Sequence, residues 1–335
     1  MSTLDVRLGG GYTVTVERGA LARAGELFDL DRRVLIVTDS GVPQHYAAAV
    51  AAACREPHLV TVPAGEASKT VPVWQHLLET MLAKNFERHD CVVAVGGGMV
   101  GDLSGFAAAC YMRGIDFYNV PTTLLSQVDA AVGGKTALNA DGVKNAIGAF
   151  RQPRGVLIDP DVLATLPPRL VAEGMAEIVK VALTSDAALF DDLAAGRFES
   201  DPERIILTAL TIKRDVVQRD EFEKGPRRVL NFGHTLGHGI EAAAGGALFH
   251  GECVALGMIP FCAPAVREKL LPLLTALGLP TRFEGDAEAV LEAVRHDKKT
   301  AGDTVTVVTV PAIGSYKEEA RTLPRLADAL RTLGR

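Results

Sequence analysis

Five short, continuously apolar runs divide the first half of the chain, and helical patterns such as residues 71–85 separate them. The runs cover residues 34–40, 59–63, 91–98, 116–123 and 155–160, and Gly, Asp, Pro or Thr residues close them. Segments that are apolar on both sides are typical of strands in a parallel sheet covered by helices. Because such sheets bind ligands at the carboxyl ends of their strands, the polar residues after each run are the first candidates for binding.

The second half of the chain has a different character. Two prolines at positions 167 and 168 introduce a helical pattern over residues 170–184, and helical periodicity then dominates to about residue 276. A β-like run over residues 304–310 precedes a terminal helical pattern over 323–333. We therefore predict an α/β, Rossmann-like N-terminal domain over residues 1–162, followed by a mainly α-helical domain over residues 163–335.

Composition excludes several classes of protein. The chain has 335 residues, of which 48% are hydrophobic and 23% charged, enough for a substantial core and against wholesale disorder. Its net charge of -6 includes no basic stripe, which argues against a nucleic-acid partner. The apolar stretch 254–266 is short and contains two prolines, so no membrane partner is expected. Five scattered cysteines and an N-terminus without a signal-peptide pattern predict a cytoplasmic protein.

A glycine-rich segment, Gly96 to Asp102, follows a predicted buried strand and opens a predicted helix. Glycines there let backbone N–H groups approach a phosphate, whose charge the helix N-terminus favours. The segment lacks the G-x-G-x-x-G fingerprint, so a tight strand-to-helix turn is the alternative. Asp39, at the end of an earlier strand, suits a ribose hydroxyl and would repel a 2′-phosphate. This combination favours NAD over NADP.

The segment Gly133 to Thr136 reads G-G-K-T, like the end of an ATP-binding P-loop. The P-loop pattern requires glycine where Asp129 stands, which argues against an NTPase of that type. Lys135, Lys144 and Asn145 still place two cations and an amide within about ten residues. Such groups suit a phosphorylated substrate, and solvated loop lysines are the alternative.

Histidines predict a metal site in the helical domain. His234 and His238 are four residues apart, so a helix places both on one face, and His250 follows. Glycines at positions 233, 237 and 239 each disfavour a helix by about 1 kcal/mol, which indicates that something approaches this backbone closely. A carboxylate from the apolar segment around Glu177 and Lys180 would complete a zinc site with an open position. Spacing alone does not decide which histidines bind, and satisfied core histidines are the alternative.

Seven segments of the chain resemble the 3-dehydroquinate synthase family of the sugar-phosphate cyclases. They are residues 96–114, 120–136, 144–150, 176–180, 230–238, 250–252 and 296–299, within a resemblance that extends from about residue 34 to 313. The resemblance implies a shikimate-pathway lyase that closes 3-deoxy-D-arabino-heptulosonate 7-phosphate into 3-dehydroquinate and releases phosphate. It implies an NAD-binding domain followed by a metal-binding domain, one NAD, one metal ion, zinc with cobalt as the alternative, and a homodimer.

The resemblance also implies roles for individual residues. The implied metal ligands are Glu177, His234 and His250. The implied catalytic residues are Asp129, Lys180, Lys213 and His238. The implied substrate-binding residues are Arg113, Lys135, Asn145, Arg227, Asn231, Lys298 and Lys299, with Arg113 lent across the dimer. The implied NAD-binding residues are Asp39, Glu66, Lys69, Gly97, Gly98, Asp102, Thr122, Thr123, Lys135, Lys144 and Thr165.

Three other functions remain as alternatives. A related cyclase, such as an epi-valiolone synthase, acts on a substrate without a carboxylate and should not need both Lys213 and Arg227, whereas an aminodehydroquinate synthase would keep both. A metal- and NAD-dependent alcohol dehydrogenase would not need so many cations for phosphate and carboxylate. A non-catalytic nucleotide-binding module would leave the three histidines unexplained.

Overall fold

The computed structural model describes residues 2–296, 300–301 and 304–334. The chain forms two compact units, Met1–Leu166 and Pro167–Arg335.

The first unit is built on a seven-stranded, mostly parallel sheet. The strands of the unit are β1 (Ser2–Val6), β2 (Tyr12–Val16), β3 (Arg33–Asp39), β4 (Glu56–Val62), β5 (Cys91–Gly96), β6 (Asp116–Pro121), β7 (Lys135–Ala140), β8 (Val143–Phe150) and β9 (Gly155–Ile158). The sheet has the order β1-β2-β9-β6-β5-β3-β4, and within it only the β1–β2 pairing is antiparallel. The five runs singled out in the sequence correspond to β3, β4, β5, β6 and β9, so the predicted parallel sheet is confirmed.

Helices cover both faces of this sheet. They are α1 (Ala24–Leu27), α2 (Gln44–Ala52), α3 (Val71–Ala83) and α4 (Gly98–Cys110). Successive residues of β3 contribute to two different hydrophobic clusters: Val34 and Ile36 pack with α2, whereas Leu35 and Val37 pack with α3 and α4. Because side chains alternate along a strand, a strand buried on both faces must be apolar at every position. This is why the runs in the sequence are continuous.

The strand order contains a reversal next to β3. β3 pairs with β4 on one side and with β5 on the other, so the chain changes direction across the sheet between β4 and β5. Ligands of open α/β sheets bind at such a point, outside the carboxyl ends of the strands. Asp39 ends β3, and the glycine-rich segment begins at the end of β5. The topology therefore places Asp39 and the glycine-rich segment, both predicted to bind NAD, at the carboxyl ends of neighbouring strands.

Two hairpins of the first unit are absent from our sequence prediction. β1 pairs with β2 at the sheet edge, and β7 pairs with β8 in a separate two-stranded sheet. β7 contains Lys135 and β8 contains Lys144 and Asn145, so these residues lie on a hairpin rather than in a phosphate-binding loop of the P-loop type.

The second unit is mainly helical, as predicted. Its helices are α5 (Pro168–Ser185), α6 (Ala187–Ala194), α7 (Arg197–Ser200), α8 (Pro202–Arg219), α9 (His234–Ala244), α10 (His250–Met258), α11 (Pro264–Ala276), α12 (Ala287–His296) and α13 (Leu323–Arg331). A small antiparallel sheet follows the order β10 (Thr300–Ala301), β11 (Thr304–Ala312), β12 (Ser315–Thr322). Among the described residues, no helix has the length and apolar character needed to cross a membrane.

Candidate active-site residues

Helix α5 carries two buried charged side chains in the second unit. Glu177 and Lys180 are each about 2% exposed, and the Lys180 ammonium forms an ion pair with Glu177 Oε2 one turn away. Apart from this ion pair, neither oxygen of Glu177 has a hydrogen-bond partner among the described residues. A buried carboxylate without hydrogen bonds is unfavourable unless another cation completes its surroundings. Glu177 is therefore placed as a metal ligand would be.

Two histidine rings direct their Nε2 atoms at the same oxygen of Glu177. His234 Nε2 lies 3.7 Å from Glu177 Oε1, and His250 Nε2 lies 3.8 Å from it. A tetrahedral ion bound at the usual zinc distances would separate two N or O ligands by about 3.3 Å. The three ligand atoms lie within 4.8 Å of one another, so small shifts would close them around one ion. The chemistry of this donor set fits zinc or cobalt.

Glycines bring the three helices of this triad together. A Cβ on Gly251 of α10 would lie 2.2 Å from the carbonyl oxygen of Glu173 on α5. A Cβ on Gly257 of α10 would lie 2.0 Å from the carbonyl oxygen of Gly233, the residue before α9. The sequence indicated that something approaches the glycine-rich backbone around His234, and this expectation is confirmed. Backbone atoms of α10 make that approach.

The surroundings of the two histidines shift their pKa values in opposite directions. Burial, followed by the charges of Lys180, His250 and His238, lowers the pKa of His234 well below its ordinary value, so this ring is held in the neutral form that binds metals. Burial also disfavours the charged form of His250, but its hydrogen bond to Glu241 and the charge of Glu177 outweigh burial and raise the pKa of His250. A metal ion bound at His250 must therefore compete with a proton.

His238 lies one turn after His234 on α9 and is exposed. Its ring centroid is 5.2 Å from that of His234 and 5.9 Å from that of His250. The predicted pair on one helical face is thus present, with one ring directed at Glu177 and the other reachable by solvent. An exposed imidazole beside a metal triad is suited to proton transfer with a bound substrate.

Two further cations of the second unit are buried. Lys213 on α8 is 5% exposed, and Arg227 in the following 3-10 turn is 3% exposed. Arg227 donates to the carbonyl oxygen of Glu221, and Asn231 donates to Glu223 Oε1 at 2.7 Å. Lys298 and Lys299 lie outside the described residues.

Two residues that organise the second unit's site were missed in the sequence. Asp220 accepts backbone N–H hydrogen bonds from Lys224, Gly225 and Arg227, which shape the loop that holds Arg227. These bonds, the one from Lys224 first, lower the pKa of Asp220. Glu241 accepts a hydrogen bond from His250. Its position was available as a pattern, since it lies seven residues after His234 and three after His238 on the same helical face.

Four predicted binding residues meet in the first unit around Lys69. This lysine is 3% exposed, and its Nζ donates to Asp102 Oδ2 and to Asn145 Oδ1, each at 2.5 Å. Its Nζ also lies 3.6 Å from Glu66 Oε1, to which Asn139 donates at 2.8 Å. The cluster connects the first turn region of α4 to the β7–β8 hairpin. Residues predicted for NAD and for substrate are therefore neighbours.

The start of α4 has the features of a phosphate site. Gly97 precedes the helix, and among the described residues no side chain caps its N-terminus. The first N–H groups of a helix lack intrahelical partners, so an anion can accept from them. A Cβ on Gly97 would lie 3.2 Å from the side chain of Thr123, which places this predicted residue against the glycine turn. Thr122 donates its N–H to the Gly96 carbonyl at 3.0 Å.

The remaining predicted residues of the first unit are more dispersed. Asp39 Oδ1 accepts the N–H of Gly41 at 2.7 Å, and Thr165 Oγ1 lies 3.0 Å from the Tyr46 hydroxyl. Asp129 belongs to a single π-helical turn, residues Ser126–Ala130. Lys135 and Lys144 are exposed on the hairpin strands.

Arg113 lies in an unusual turn after α4. Helix α4 ends at Cys110, three residues before it. Met112, Arg113 and Gly114 follow with φ values of 47°, 68° and 119°. A non-glycine residue in this region disfavours the fold by about 1 kcal/mol or more, and such strain is concentrated at functional sites. Arg113 is exposed at the end of a 3-10 turn, Tyr111–Arg113.

The family descriptions and the curated relatives that match this chain agree on one family. The family descriptions "3-dehydroquinate synthase N-terminal" and "3-dehydroquinate synthase C-terminal" match residues 59–173 and 174–300. The 3-dehydroquinate synthase of Enterococcus faecalis is 45% identical over 329 residues, which cover 91% of this chain and 92% of that protein. The 3-dehydroquinate synthase of Streptococcus sanguinis is 42% identical over 327 residues, with 91% and 92% covered.

Solved structures share the whole architecture. A 2-deoxy-scyllo-inosose synthase complexed with carbaglucose-6-phosphate, NAD+ and Co2+ has a TM-score of 0.91 at 26% identity, covering 99% of this chain and 100% of that one. A 2-epi-5-epi-valiolone synthase from Streptomyces hygroscopicus with NAD+ and Zn2+ bound has a TM-score of 0.87 at 30% identity, covering 96% of each chain. A probable glycerol dehydrogenase from Sinorhizobium meliloti, with a TM-score of 0.61 at 16% identity over 96% of this chain and 95% of that one, shares the fold alone.

The parallel sheet with a glycine-rich helix start, followed by a helical unit with a Glu–His–His triad, defines the dehydroquinate synthase-like fold class. The predicted fold class is confirmed by the solved structures that share it. Within this class, the chain belongs to the 3-dehydroquinate synthase family, since both family descriptions match it in order.

Proposed function

We propose that this chain is an active lyase that converts 3-deoxy-D-arabino-heptulosonate 7-phosphate to 3-dehydroquinate and phosphate, as a step of the shikimate pathway. The observation that carries this proposal is the convergence of Glu177, His234 and His250 in a chain whose curated relatives are 3-dehydroquinate synthases. The reaction needs NAD and one divalent metal ion, zinc or cobalt. The two solved cyclases described above carry NAD with one of these two metals.

In the proposed reaction Glu177, His234 and His250 hold the metal ion. When bound, the metal supplies a Lewis acid that acidifies substrate hydroxyls, and NAD supplies a reversible hydride acceptor. His238 exchanges protons with the substrate, because it is the exposed imidazole beside the triad. Lys180 pairs with Glu177 and lies beside the ligand set.

NAD binds the first unit in this proposal. The N–H groups at the start of α4, with Gly97 and Gly98, donate hydrogen bonds to the pyrophosphate, and Asp39 on the neighbouring strand accepts one from a ribose hydroxyl. The other NAD contacts that we assign are Glu66, Lys69, Asp102, Thr122, Thr123, Lys135, Lys144 and Thr165. Asp129, Lys135 and Asn145 also face the substrate in this assignment.

The substrate carries a carboxylate and a phosphate, and two buried cations favour it over a carboxylate-free sugar phosphate. Lys213 and Arg227 are buried in the second unit, where an anion interacts with a cation more strongly than it does in water. A guanidinium binds a carboxylate through two parallel hydrogen bonds, whereas a lysine acts as a point charge. We assign both to the substrate carboxylate, with Asn231, Lys298 and Lys299 as further substrate contacts.

The proposed reaction is redox-neutral, because the same nicotinamide takes and returns the hydride. We expect the metal-loaded chain to release phosphate from the heptulosonate phosphate over many turnovers with NAD present at less than one equivalent of substrate. Absorbance at the NADH band should not accumulate. Phosphate release and 340 nm absorbance recorded in one cuvette provide the measurement. Stoichiometric NADH formation without phosphate would instead indicate an alcohol dehydrogenase, and preference for the amino analogue would indicate an aminodehydroquinate synthase.

The active form that we propose is a cytoplasmic homodimer in which Arg113 reaches the substrate phosphate of the neighbouring subunit. The strained turn presents this side chain to solvent, next to an exposed Met112. Strand β8 exposes Val143, Ile147 and Phe150. Monomeric proteins usually protect such apolar strand surfaces from solvent. All five cysteines are free, which suits a reducing compartment.

Mixing two inactive variants tests the shared site. An Arg113→Ala chain keeps the metal ligands, and a His250→Ala chain keeps Arg113. After subunit exchange, we expect mixed dimers to recover up to one working site each, about half the activity of the unmodified dimer on the basis of two-fold symmetry. Mixed dimers are verified by native mass spectrometry. Verified mixed dimers that stay as inactive as both parents would show that Arg113 acts within its own chain.

A further inference from the structure

The two histidines of the triad are held by different kinds of partner at their second ring nitrogen. His234 Nδ1 donates to the carbonyl oxygen of Phe232 at 3.0 Å. His250 Nδ1 lies 3.0 Å from Glu241 Oε2, a carboxylate on the preceding helix α9. A carbonyl and an ionised carboxylate only accept hydrogen bonds, so both rings carry their proton on Nδ1. In each ring Nε2 is therefore the nitrogen that remains to bind a metal on the Glu177 side.

The carboxylate partner is built into the site. Glu241 is 17% exposed, and the His250 side chain is 27% exposed, so neither is a freely moving surface group. Helix α9 carries both His234 and Glu241, while His250 begins α10. A single helix thus provides one metal ligand and the acceptor that fixes the other ligand. A charged acceptor also makes the imidazole a stronger electron donor to the metal than a backbone carbonyl does.

A second arrangement of ligands competes with this one. His238, Glu241 and His250 also place one ligand atom each within 4.8 Å of one another. In that arrangement Glu241 would bind a metal directly. The hydrogen bond decides between them, because a carboxylate oxygen at 3.0 Å from Nδ1 occupies the position a metal would need at that nitrogen. The buried carboxylate of Glu177, which has no hydrogen-bond partner among the described residues, faces the Nε2 edge of the His250 ring and indicates that the metal binds there.

We propose that Glu241 is a positioning residue that holds His250 in the Nδ1-protonated form and directs Nε2 at the metal. This inference rests on the metal site of the proposed function. It assigns to Glu241 a role in metal affinity, with no contact to substrate.

Metal binding tests the proposal with a readout independent of turnover. The metal-free full chain is titrated with Zn2+ against a chromogenic chelator and with Co2+ by visible absorption. Glu241→Ala removes the acceptor, and Glu241→Gln keeps an oxygen that can accept from Nδ1–H without the charge. Glu288→Ala, an exposed glutamate in the first turn of α12, is the matched control. Thermal unfolding of each metal-free variant checks that it is folded.

We expect Glu241→Ala to weaken zinc affinity about 10- to 100-fold, in the range found for outer partners of ligating histidines. Glu241→Gln should weaken it less, with an unchanged Co2+ spectrum, and Glu288→Ala should bind like the unmodified chain. Unchanged affinity in Glu241→Ala overturns the proposal. Equal losses in both variants together with a changed Co2+ spectrum also overturn it, since Glu241 would then be a direct ligand.

A Glu177→Ala variant separates this inference from the proposed function. If the unmodified chain binds zinc no better than Glu177→Ala, the metal site itself is wrong, and the proposed function fails with it. If Glu177→Ala loses the metal while Glu241→Ala retains full affinity, only the role of Glu241 is wrong.

Discussion

Replacing His250 with Ala is expected to remove the metal and the activity together. His250 Nε2 supplies one of the three atoms directed at the ion, and the loss leaves the buried Glu177 carboxylate with one imidazole fewer. A site of two remaining ligands does not retain zinc at the concentrations of a dialysed sample. Metal content is measured by elemental analysis and activity by phosphate release. We expect both to fall to background.

His238→Ala is the matched variant, because it removes an imidazole from the same cluster. This ring is exposed and lies one turn along α9, outside the triad. We expect full metal content with turnover reduced by roughly 10²- to 10⁴-fold, the usual effect of losing a general acid or base. Metal lost in His238→Ala and kept in His250→Ala would show that the helix histidines have exchanged roles.

Gly257→Ala is expected to destabilise the second unit and the metal site together. The added Cβ would lie 2.0 Å from the carbonyl oxygen of Gly233 and 2.8 Å from the amide nitrogen of Gly237, both backbone atoms. Neither can rotate away, so α10 and α9 must separate until the Cβ–oxygen distance reaches about the 3.4 Å of ordinary contact. Overpacking of this kind lowers the free energy of unfolding by about 3 kcal/mol or more. His250 and His234 would separate with their helices.

Thermal unfolding and zinc titration of the Gly257→Ala chain measure both effects. Gly334→Ala is the control in the same unit, because its nearest heavy atom to a new Cβ is a carbonyl oxygen at 3.9 Å. We expect the control to match the unmodified chain in melting temperature and in zinc affinity. A Gly257→Ala chain with unchanged melting temperature and affinity would mean that the helices adjust without loss, contrary to the packing described here.

Much of the fold follows from local chemistry along the chain. Strands β3 and β5 are apolar at nearly every position because helices cover both of their faces. This requirement can therefore be recognised in consecutive residues of the sequence. Helix α9 begins at His234 and places His238 one turn later, as the spacing predicted. The β7–β8 hairpin was not predicted, because its glycines and lysines match a loop as well as they match a strand pair.

The sequence by itself determined the class of each unit, the helical face shared by His234 and His238, and the need for close approach at the glycines around them. These properties depend on neighbours in the chain or on the periodicity of one element. Only the tertiary structure decided that Glu177, from a helix more than fifty residues earlier, meets His234 and His250, and that Glu241 rather than a second metal faces His250 Nδ1. Those relations depend on the packing of α5, α9 and α10, where backbone contacts at Gly251 and Gly257 set distances that no local pattern encodes.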